Sequence, residues 1–287
     1  MTPSHDAHQA TLAEKAEAEY FRRFLLGAPE SVREELGIRT ARIGGGVVTA
    51  MRKDPSGYWT KALGFGPGDT VDAATVREIV DFFRSSGKDA GIIALAPAAE
   101  PPDWAAIRRR FGLVPASKWA KFARLTGPID DRPTGLAVRA LTDEDAPAWQ
   151  RVVREAFGML EPDLTPMLRG TIADPDARVF GAFDGDLLVG AGALHLVGDA
   201  ASLNTGGTLP SHRRRGVQYA LLVARVRAAA EAGCRLVSAE TGAAPDDTSY
   251  RNLVRAGFGH LYDRTNWQWQ AGAPGASGAQ PGSEALA

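Results

Sequence analysis

Apolar residues recur at helical spacing in two stretches of the chain, one in each half. The stretch over residues 72 to 85 places on one face Val76, Ile79, Val80 and Phe83. The stretch from Gly216 to Ala232 has apolar positions four, three and four residues apart, at Val217, Leu221, Ala224 and Ala228. Gly87 follows the first stretch and Gly233 the second, and glycine commonly ends a helix. The pattern predicts two equivalent helices.

Short β-type runs surround both helices. They are residues 58–65, 91–96 and 117–125 in the first half, and 201–209, 234–240 and 261–270 in the second. A short helix is predicted before the last run of each half, at 102–110 and 248–256. Gly87 and Gly233 are 146 residues apart, and Gly112 and Gly257 are 145 apart. This common period predicts a duplicated unit, with chance recurrence of helix-ending glycines as the alternative.

The second half has further elements before its repeat-like part. Residues 142–157 begin with Thr-Asp-Glu-Asp, which is typical of a helix start. Residues 178–197 indicate two strands joined at Asp184-Gly185, a tight-hairpin signal. The fold class that follows is α+β, a mixed αβ arrangement with a mixed sheet.

Composition breaks divide the chain into five predicted segments. Residues 1–13 and the Gly/Ala/Ser/Pro-rich tail 271–287 are predicted to be disordered. Two prolines and two glycines make 128–135 a turn-prone linker. The predicted folded domains are therefore residues 14–127 and 136–270.

Composition narrows the class of protein. Of 287 residues, 44% are apolar and 23% charged, and the formal net charge is -1. These values are typical of ordinary globular proteins and disfavour a nucleic-acid coat protein. One cysteine, Cys234, excludes an internal disulfide framework and a thiolate zinc cluster, so no metal is expected. Without a bilayer-length apolar run or a signal peptide, no membrane association is expected, and the expected location is cytoplasmic.

The segment from Thr208 to Leu222 carries the clearest chemistry. A strand ends there, a turn follows with the sequence Arg213-Arg214-Arg215-Gly216, and a helix begins at once. Free backbone N–H groups and the positive end of the helix dipole converge at such a corner, and arginines add charge-assisted hydrogen bonds. Three cations at a helix start oppose the dipole, so we predict an anion site rather than a merely solvated turn.

The corresponding loop of the first half differs in charge. It keeps glycines between Gly64 and Val71 but carries Asp69 and Asp72. Aspartates are good helix caps and repel phosphate. We therefore expect only the second half to bind the anion.

These residues resemble the pyrophosphate loop of the GCN5-related N-acetyltransferases (GNAT family). The family pattern Gln/Arg-x-x-Gly-x-Gly/Ala matches at Arg213 and Gly216 and departs at Gln218. Gly257-Phe258 resembles the Gly-Phe pair that ends the last helix in the family. The resemblance covers about 136 to 270 well, and 35 to 126 as a degenerate copy. It implies two tandem GNAT-like units, each a mostly antiparallel twisted sheet flanked by helices, with a splayed cofactor cleft.

The resemblance also implies a cofactor, acetyl-CoA or another acyl-CoA. Its pyrophosphate would lie on backbone N–H groups from Arg214 to Tyr219, and its pantetheine arm would pair with the main chain of Thr208 and Leu209. Asn252 is a further cofactor candidate. The complete set of predicted cofactor residues is Thr208, Leu209, Arg213, Arg214, Arg215, Gly216, Val217, Gln218, Tyr219 and Asn252.

Direct attack of an amine on a thioester requires a base for the ammonium and an acid for the thiolate. The family often carries a tyrosine acid four residues before the helix-ending glycine, where this chain has Leu253. Tyr250 lies one turn earlier and is the candidate acid, with aromatic packing as its alternative role. Glu240, at a strand end, is the candidate base, with a surface charge or a cap as the alternative.

Other polar residues are weaker candidates. His195 lies in an alternating strand and is more often structural in such a position. His260, Tyr262 and Asp263 are candidates for lining an acceptor pocket, whereas Trp267 and Trp269 are expected in the core. The acceptor class that the resemblance implies is a small-molecule or peptide amine, with a monomer or homodimer as the assembly.

The function that follows is acyl-CoA-dependent N-acetyltransfer in the C-terminal domain. The alternative is a CoA-binding regulatory module without turnover, suggested by Leu253. Nucleic-acid binding is disfavoured because no aromatic residues interleave a basic stripe. A dinucleotide-binding unit is disfavoured because Gly190-Ala191-Gly192 continues into a strand instead of opening a helix.

Overall fold

One mixed sheet connects both halves of the chain in the computed structural model, which describes residues 3–158 and 162–272. Its strands are β1 (Ile38–Ile43), β2 (Gly46–Met51), β3 (Lys61–Phe65), β4 (Ala90–Leu95), β5 (Val114–Leu125), β6 (Ala137–Ala140), β7 (Ala177–Asp184), β8 (Leu187–Val197), β9 (Ala200–Thr208), β10 (Leu236–Gly242) and β11 (Gly259–Gln270). The helices are α1 (Pro3–Leu26), α2 (Glu30–Leu36), α3 (Ala73–Ser85), α4 (Trp104–Phe111), α5 (Ala146–Phe157), α6 (Thr165–Ala173), α7 (Val217–Glu231) and α8 (Thr248–Arg255).

The strand order across the sheet is β1-β2-β3-β4-β11-β5-β10-β9-β8-β7-β6. The pairs β3–β4 and β9–β10 are parallel, and the other neighbouring pairs are antiparallel. This arrangement confirms the predicted α+β class with a mostly antiparallel sheet flanked by helices.

The two halves exchange their last strands. Strand β11, from the second half, pairs with β4, where Trp267 lies opposite Ile93. Strand β5, from the first half, pairs with β10, where Phe122 lies opposite Ala239. Strands β5 and β11 also pair with each other at the centre of the sheet. Each half therefore completes the sheet of the other.

Both halves show the same order of elements. The series β1-β2-β3-α3-β4-α4-β5 has its counterpart in β7-β8-β9-α7-β10-α8-β11. Strand β6 is additional to this shared order. That the first half is a degenerate copy of the second stays a prediction, as do the domain boundaries at 127 and 136.

Helices α5 and α7 cover opposite faces of the sheet. A Cβ atom added to Gly190 of β8 would lie 2.3 Å from Val217 Cγ1 in α7. A Cβ atom added to Gly207, which pairs with the next residue, Ala191, would lie 2.9 Å from Ala156 Cβ in α5. Successive strand residues point to opposite faces, which separates the two helices. Helix α1 packs with α5 and α6 in one core cluster, which includes Phe24 and Trp149.

The N-terminal segment differs from its prediction. Residues 3–26 form α1 instead of a disordered stretch to residue 13. Its small residues follow helical spacing, and Ala10, Ala13 and Ala16 are buried. The predicted disordered tail falls almost entirely on 273–287, outside the described residues.

Most of the predicted elements occur close to their expected bounds. Helix α3 buries Val76, Ile79, Val80 and Phe83, which confirms its predicted apolar face. The predicted helix 142–157 begins as a short 3-10 turn, Asp143–Asp145, before α5. The hairpin turn between β7 and β8 is at Gly185-Asp186, and Gly185 has a φ of 57°. Residues 126–136 contain neither helix nor strand, in agreement with the composition of the predicted linker.

Across residues 3–158 and 162–272, none of the helices combines the length and apolar content that crossing a bilayer requires.

Candidate active site

Strands β9 and β10 separate after a short paired stretch. They pair from Ala200 opposite Leu236 to Ser202 opposite Ser238, and beyond this point no pairing between them continues in the described strands. Thr205 has a φ of 48°, and the register of β8 with β9 shifts between Ala191 and Ala193. This irregularity is a bulge, which bends a strand out of its ladder. The sheet therefore has a gap between β9 and β10 beyond this paired stretch.

A cavity of about 350 Å³ occupies this gap. Its lining comes from both halves of the chain and both faces of the sheet. The lining residues are Glu17, Tyr20, Phe21, Tyr58, Trp119, Lys121, Phe157, Ser202, Leu203, Asn204, Thr205, Gly206, Gln218, Leu222, Arg225, Ser238, Ala239, Glu240, Thr241, Gly242, Asp247, Ser249 and Leu253.

The first half contributes an aromatic wall from α1 and its neighbours. Tyr20 is buried, and its hydroxyl lies 3.0 Å from Thr205 Oγ1, at the bulge. Burial raises the pKa of Tyr20, so its phenol stays protonated at neutral pH. Lys61 Nζ lies 4.8 Å from the ring centre of Phe21 and 4.4 Å from that of Tyr58. This wall already holds one cation over aromatic rings.

A buried network of charges lies below the aromatic wall. Arg264 Nη1 lies 2.8 Å from Glu14 Oε2 and 2.7 Å from Glu17 Oε2, and Arg264 also binds Glu240. Lys121 Nζ binds Glu17 and lies 3.2 Å from Glu240 Oε2. Three carboxylates and two cations from α1, β5, β10 and β11 are thus joined across the exchanged strands.

The pKa values of Glu17 and Glu240 are shifted in opposite directions. Burial works to raise the pKa of Glu17, but Arg264 and Lys121 together hold it well below its usual range. Burial raises the pKa of Glu240 despite the opposing effect of Arg264, and the negative charge of Glu17 adds to the rise. Glu240 is therefore the carboxylate that takes up a proton more readily, as a general base must.

The opposite wall comes from α7 and α8. Gln218, Leu222 and Arg225 follow one another along the side of α7 that faces the cavity. The Gln218 amide donates to Ser249 Oγ at 3.0 Å, and Asn252 Nδ2 donates to Gln218 Oε1 at 2.5 Å. These bonds hold the start of α7 against α8 at the cavity edge.

The arginine turn adopts a specific backbone conformation before α7. A 3-10 turn, Pro210–His212, is followed by Arg214 with a φ of 64° and Gly216 with a φ of 81°. A Cβ at Gly216 would lie 2.7 Å from Thr134 Cγ2, so glycine is required there on two grounds. Gly216 caps α7 without any side-chain hydrogen bond to the helix. The first N–H groups of α7 thus keep their hydrogen-bonding capacity for an anion.

The three arginine side chains are exposed and have different surroundings. Arg215 Nη1 lies 2.8 Å from Asp184 Oδ2, and His212 Nε2 lies 3.4 Å from the same oxygen. Arg213 Nη2 donates to Ala156 O at 3.5 Å. Arg214 has no side-chain partner within the described part of the chain, so its guanidinium is available to a ligand.

The predicted cofactor residues divide into two groups. The turn and the start of α7, from Arg213 to Tyr219, lie together, and Gln218 reaches the cavity lining. Thr208 and Leu209 are not part of the lining, and the N–H of Leu209 donates to Val189 O at 2.9 Å. The stretch of β9 that lines the cavity, on its edge toward β10, is instead Leu203–Gly206. Asn252 contacts Gln218 and is not part of the lining.

The predicted catalytic residues also divide. Glu240 lines the cavity, as expected of a strand end beside the gap. Tyr250 does not line the cavity. Its ring packs edge-on against the ring of Phe122, with 4.8 Å between the ring centres, which corresponds to the alternative role of aromatic packing. Leu253 lines the cavity in its place, one turn further along α8.

The remaining candidates have structural contacts. His195 is fully buried, its Nδ1 lies 3.0 Å from Asn204 Nδ2, and burial lowers its pKa to about 4. Tyr262 donates to Glu14 at 2.8 Å, and His260 Nε2 lies 2.7 Å from Asp263. Trp267 and Trp269 are buried in the core, as predicted.

Sequence reasoning missed the whole contribution of the first half. None of the predicted site residues is among those it contributes, which are Glu17, Tyr20, Phe21, Tyr58, Trp119 and Lys121. One signal was present in α1, where Glu17, Phe21 and Phe24 continue the helical spacing of the alanines before them.

Residues 138–258 match the model of the acetyltransferase (GNAT) family. No curated protein matches at a significant level.

Several solved structures share the fold over most of the chain. A GCN5-related N-acetyltransferase from Kribbella flavida has a TM-score of 0.60 at 19% identity, covering 89% of this chain and 96% of that one. A tandem GNAT protein from the clavulanic acid biosynthesis pathway has a TM-score of 0.58 at 17% identity, covering 94% and 96%. A GNAT-family acetyltransferase from Novosphingobium aromaticivorans has a TM-score of 0.56 at 16% identity, covering 91% and 98%.

At these identities the likeness establishes the fold, and the family match applies to residues 138–258. The chain therefore has the fold of GNAT proteins and contains, at residues 138–258, a domain of the acetyltransferase (GNAT) family.

Proposed function

We propose that this protein is an acyl-CoA-dependent N-acyltransferase whose reaction takes place between β9 and β10. One observation carries the proposal. The two strands part after Ser202 and Ser238, and the gap leads to a helix start without a side-chain cap, flanked by arginines. Backbone groups on the open strand edges and at the helix start suit an extended ligand that ends in a phosphate.

The residues present fit an acyl-CoA at this place. The N–H groups from Arg214 to Tyr219 would hold the pyrophosphate, with charge from Arg213, Arg214 and Arg215. The arm would follow Leu203–Gly206, the stretch of β9 that faces the gap, in place of Thr208 and Leu209. When bound, the thioester supplies an activated acyl carbon.

The amine acceptor enters from the α1 face. Phe21 and Tyr58 already surround the Lys61 ammonium, and Tyr20 and Trp119 extend the same wall. Aromatic rings and carboxylates together favour a positively charged group. The acceptor class is accordingly a small-molecule or peptide amine that enters as an ammonium ion.

Glu240 acts as the base that removes a proton from this ammonium. It lies at the cavity between the two walls, and Arg264 and Lys121 fix its carboxylate in position. The proton for the sulfur comes from Tyr20, because its hydroxyl lies at the bulge and stays protonated. This assignment replaces Tyr250, which packs against Phe122.

Calorimetric titration with acetyl-CoA tests the donor site. We expect one site per chain, and a loss of affinity of at least about 100-fold when Arg214→Ala and Gly216→Asp are combined. A parent protein that gives no heat of binding at millimolar acetyl-CoA would contradict the proposal.

Turnover separates the enzyme from a binding module. The alternative function, CoA binding without chemistry, is favoured by Leu253, which places an apolar side chain in the cavity lining. Thiol release from acetyl-CoA is measured with a broad panel of amines. Binding without amine-dependent thiol release across this panel would support the module and contradict the enzyme.

A further inference from the structure

Arg225 is a buried cation at the cavity without a carboxylate partner among the described residues. Its residue exposure is 4%, and it belongs to the cavity lining. Its Nε donates to Leu221 O at 3.0 Å and its Nη1 to Ala193 O at 3.2 Å. A guanidinium has five N–H donors, so most of its donor capacity is unused by the described residues.

Two other buried cations near the cavity are paired with carboxylates, and a third, Lys61, lies over the rings of Phe21 and Tyr58. Arg264 and Lys121 each contact two or more of Glu14, Glu17 and Glu240. Burial lowers the pKa of Arg225 to about 10, with no opposing carboxylate. The side chain still carries its charge at neutral pH, and a buried unpaired charge is costly in free energy. Such a cost is typical of a group that receives its counterion with the ligand.

Two glycines give the guanidinium its space and its access. A Cβ at Gly192 would lie 2.8 Å from Arg225 Cζ, so a larger residue at position 192 would clash with the guanidinium. A Cβ at Gly206 would lie 3.6 Å from Arg225 Nη1, and Gly206 also lines the cavity. The guanidinium is therefore reached from the gap through the open stretch of β9.

Arg225 lies on the donor side of the site. It is nine residues beyond Gly216 on the same helix, which corresponds to about 13 Å along the axis. Its hydrogen bond to Ala193 places it beside the bulge, where β8 and β9 shift register. The acceptor wall of α1 lies on the opposite face of the sheet. A ligand with its phosphate at Gly216 thus brings its acyl end, rather than the acceptor, toward Arg225.

We propose that Arg225 binds a carboxylate at the far end of the acyl group, so that the preferred donor is the CoA thioester of a short dicarboxylic acid. This inference rests on the proposed function and specifies its donor. In the reaction the amine nitrogen forms an amide bond to the acyl carbon as the carbon–sulfur bond breaks. Two protons leave the ammonium group: one passes to solvent by way of Glu240, and the other replaces the proton that Tyr20 gives to the sulfur. The distal carboxylate is unchanged.

The decisive comparison is between succinyl-CoA and butyryl-CoA, which have the same acyl chain length and differ in the terminal carboxylate. Affinity is measured by calorimetry, with CoA alone as the reference. We expect succinyl-CoA or malonyl-CoA to bind about 10- to 100-fold more tightly than butyryl-CoA. Equal affinities in the parent would overturn the inference while leaving the proposed function intact. No binding of CoA or of any thioester would overturn both.

Variants locate the effect at Arg225. Arg225→Met keeps an unbranched, flexible side chain and removes its charge, and we expect it to abolish the preference for succinyl-CoA. Arg227→Met is the matched control, because Arg227 is exposed on the same helix and pairs with Asp131 at 2.8 Å. Thermal unfolding establishes that both variants fold. The parent comparison does not depend on either variant.

Varying the acceptor distinguishes a carboxylate of the acyl donor from a carboxylate of the amine acceptor as the group that binds Arg225. With the donor held constant, amine acceptors with and without a carboxylate are compared in the parent and in Arg225→Met. We expect KM for the acceptor to be unaffected by the substitution. A change confined to carboxylate-bearing acceptors, with the donor preference retained, would overturn the assignment to the acyl group.

Discussion

The two halves of this protein start equivalent helices in opposite ways. In the first half, Asp72 caps α3 by accepting the N–H of Thr75 at 2.8 Å. Strands β3 and β4 shift register after Ala62 but pair again at Phe65 opposite Leu95, and the N–H of Ala96 donates to Phe65 O. In the second half, Gly216 leaves the start of α7 without a side-chain cap, and β9 and β10 part after Ser202.

The difference shows that one order of elements can give a closed or an open cleft. Asp69 closes the first loop onto itself, since it accepts from the N–H of Gly66 at 2.9 Å and pairs with Lys15 at 2.8 Å. The arginine turn of the second half has no equivalent acid within the loop. The proposed anion site of the second half combines an uncapped helix start with separated strands.

The largest effect is expected when the helix start of the second half receives an acidic residue like that of the first half. Gly216→Asp introduces a negative charge and a capping oxygen at α7, in a left-handed backbone position that glycine favours. We expect acetyl-CoA affinity to fall by more than about 100-fold in calorimetric titration. The matched control is Gly68→Asp, in the first-half loop, where φ is 96° and no atom lies within 4 Å of an added Cβ. A similar loss in both variants would contradict the assignment of the site.

Glu240→Gln tests the chemical use of the open cleft. We expect kcat/KM to fall by about 100-fold, with acetyl-CoA affinity retained. A general base must be deprotonated, so kcat/KM declines as the pH falls through its pKa. Burial raises that pKa, which places the acidic limb above the ordinary range for a glutamate, and the limb disappears in the variant. Glu34→Gln, on exposed α2, is the control. An unchanged pH profile in Glu240→Gln would remove this residue from the chemistry.

Paired substitutions test the proposal that Tyr20, rather than Tyr250, donates the proton to the thiolate. We expect Tyr20→Phe to lower kcat by about tenfold, because the thiolate loses its proton donor. Tyr250→Phe should leave kcat unchanged, since its ring packs against Phe122 without reaching the cavity. A loss of kcat in Tyr250→Phe with normal rates in Tyr20→Phe would reverse the assignment.

The smallest effect is expected from removing the cap of the first half. Asp72→Ala frees the start of α3, and we expect Tm to fall by a few degrees because the helix loses its N-cap. Asp72→Asn keeps a capping oxygen and should restore Tm. No second acetyl-CoA site should appear in titrations, because β3 and β4 remain paired. A stoichiometry of two would show that the cap alone closes the first half.

The sequence was sufficient to predict elements whose signal is local. Helices α3 and α7, the short helix before each last strand and the α+β class follow from apolar spacing and helix-ending glycines. The start of α1 was missed because the segment appeared polar. Glu14 and Glu17 occupy its buried side, and their partners Lys121 and Arg264 are more than 100 residues away in the sequence.

The candidate site was likewise predictable only where local sequence signals define the positions of its residues. The arginine turn and Glu240 were accessible because a strand end and a helix start define their positions. Arg225 carried no prediction, because nothing in the neighbouring sequence shows that it faces glycines in β8 and β9. The exchange of β5 and β11 was not predictable, because both strands follow the same pattern and either could complete either half.

The exchanged strands have a consequence for biosynthesis. The partner of β4 is β11, so the first half cannot complete its sheet while the ribosome is still translating the second. At typical elongation rates the roughly 145 residues between the ends of β5 and β11 take on the order of ten seconds to appear. During that interval the edge of β4 is exposed on the nascent chain, where a chaperone or the neighbouring β5 is available to cover it.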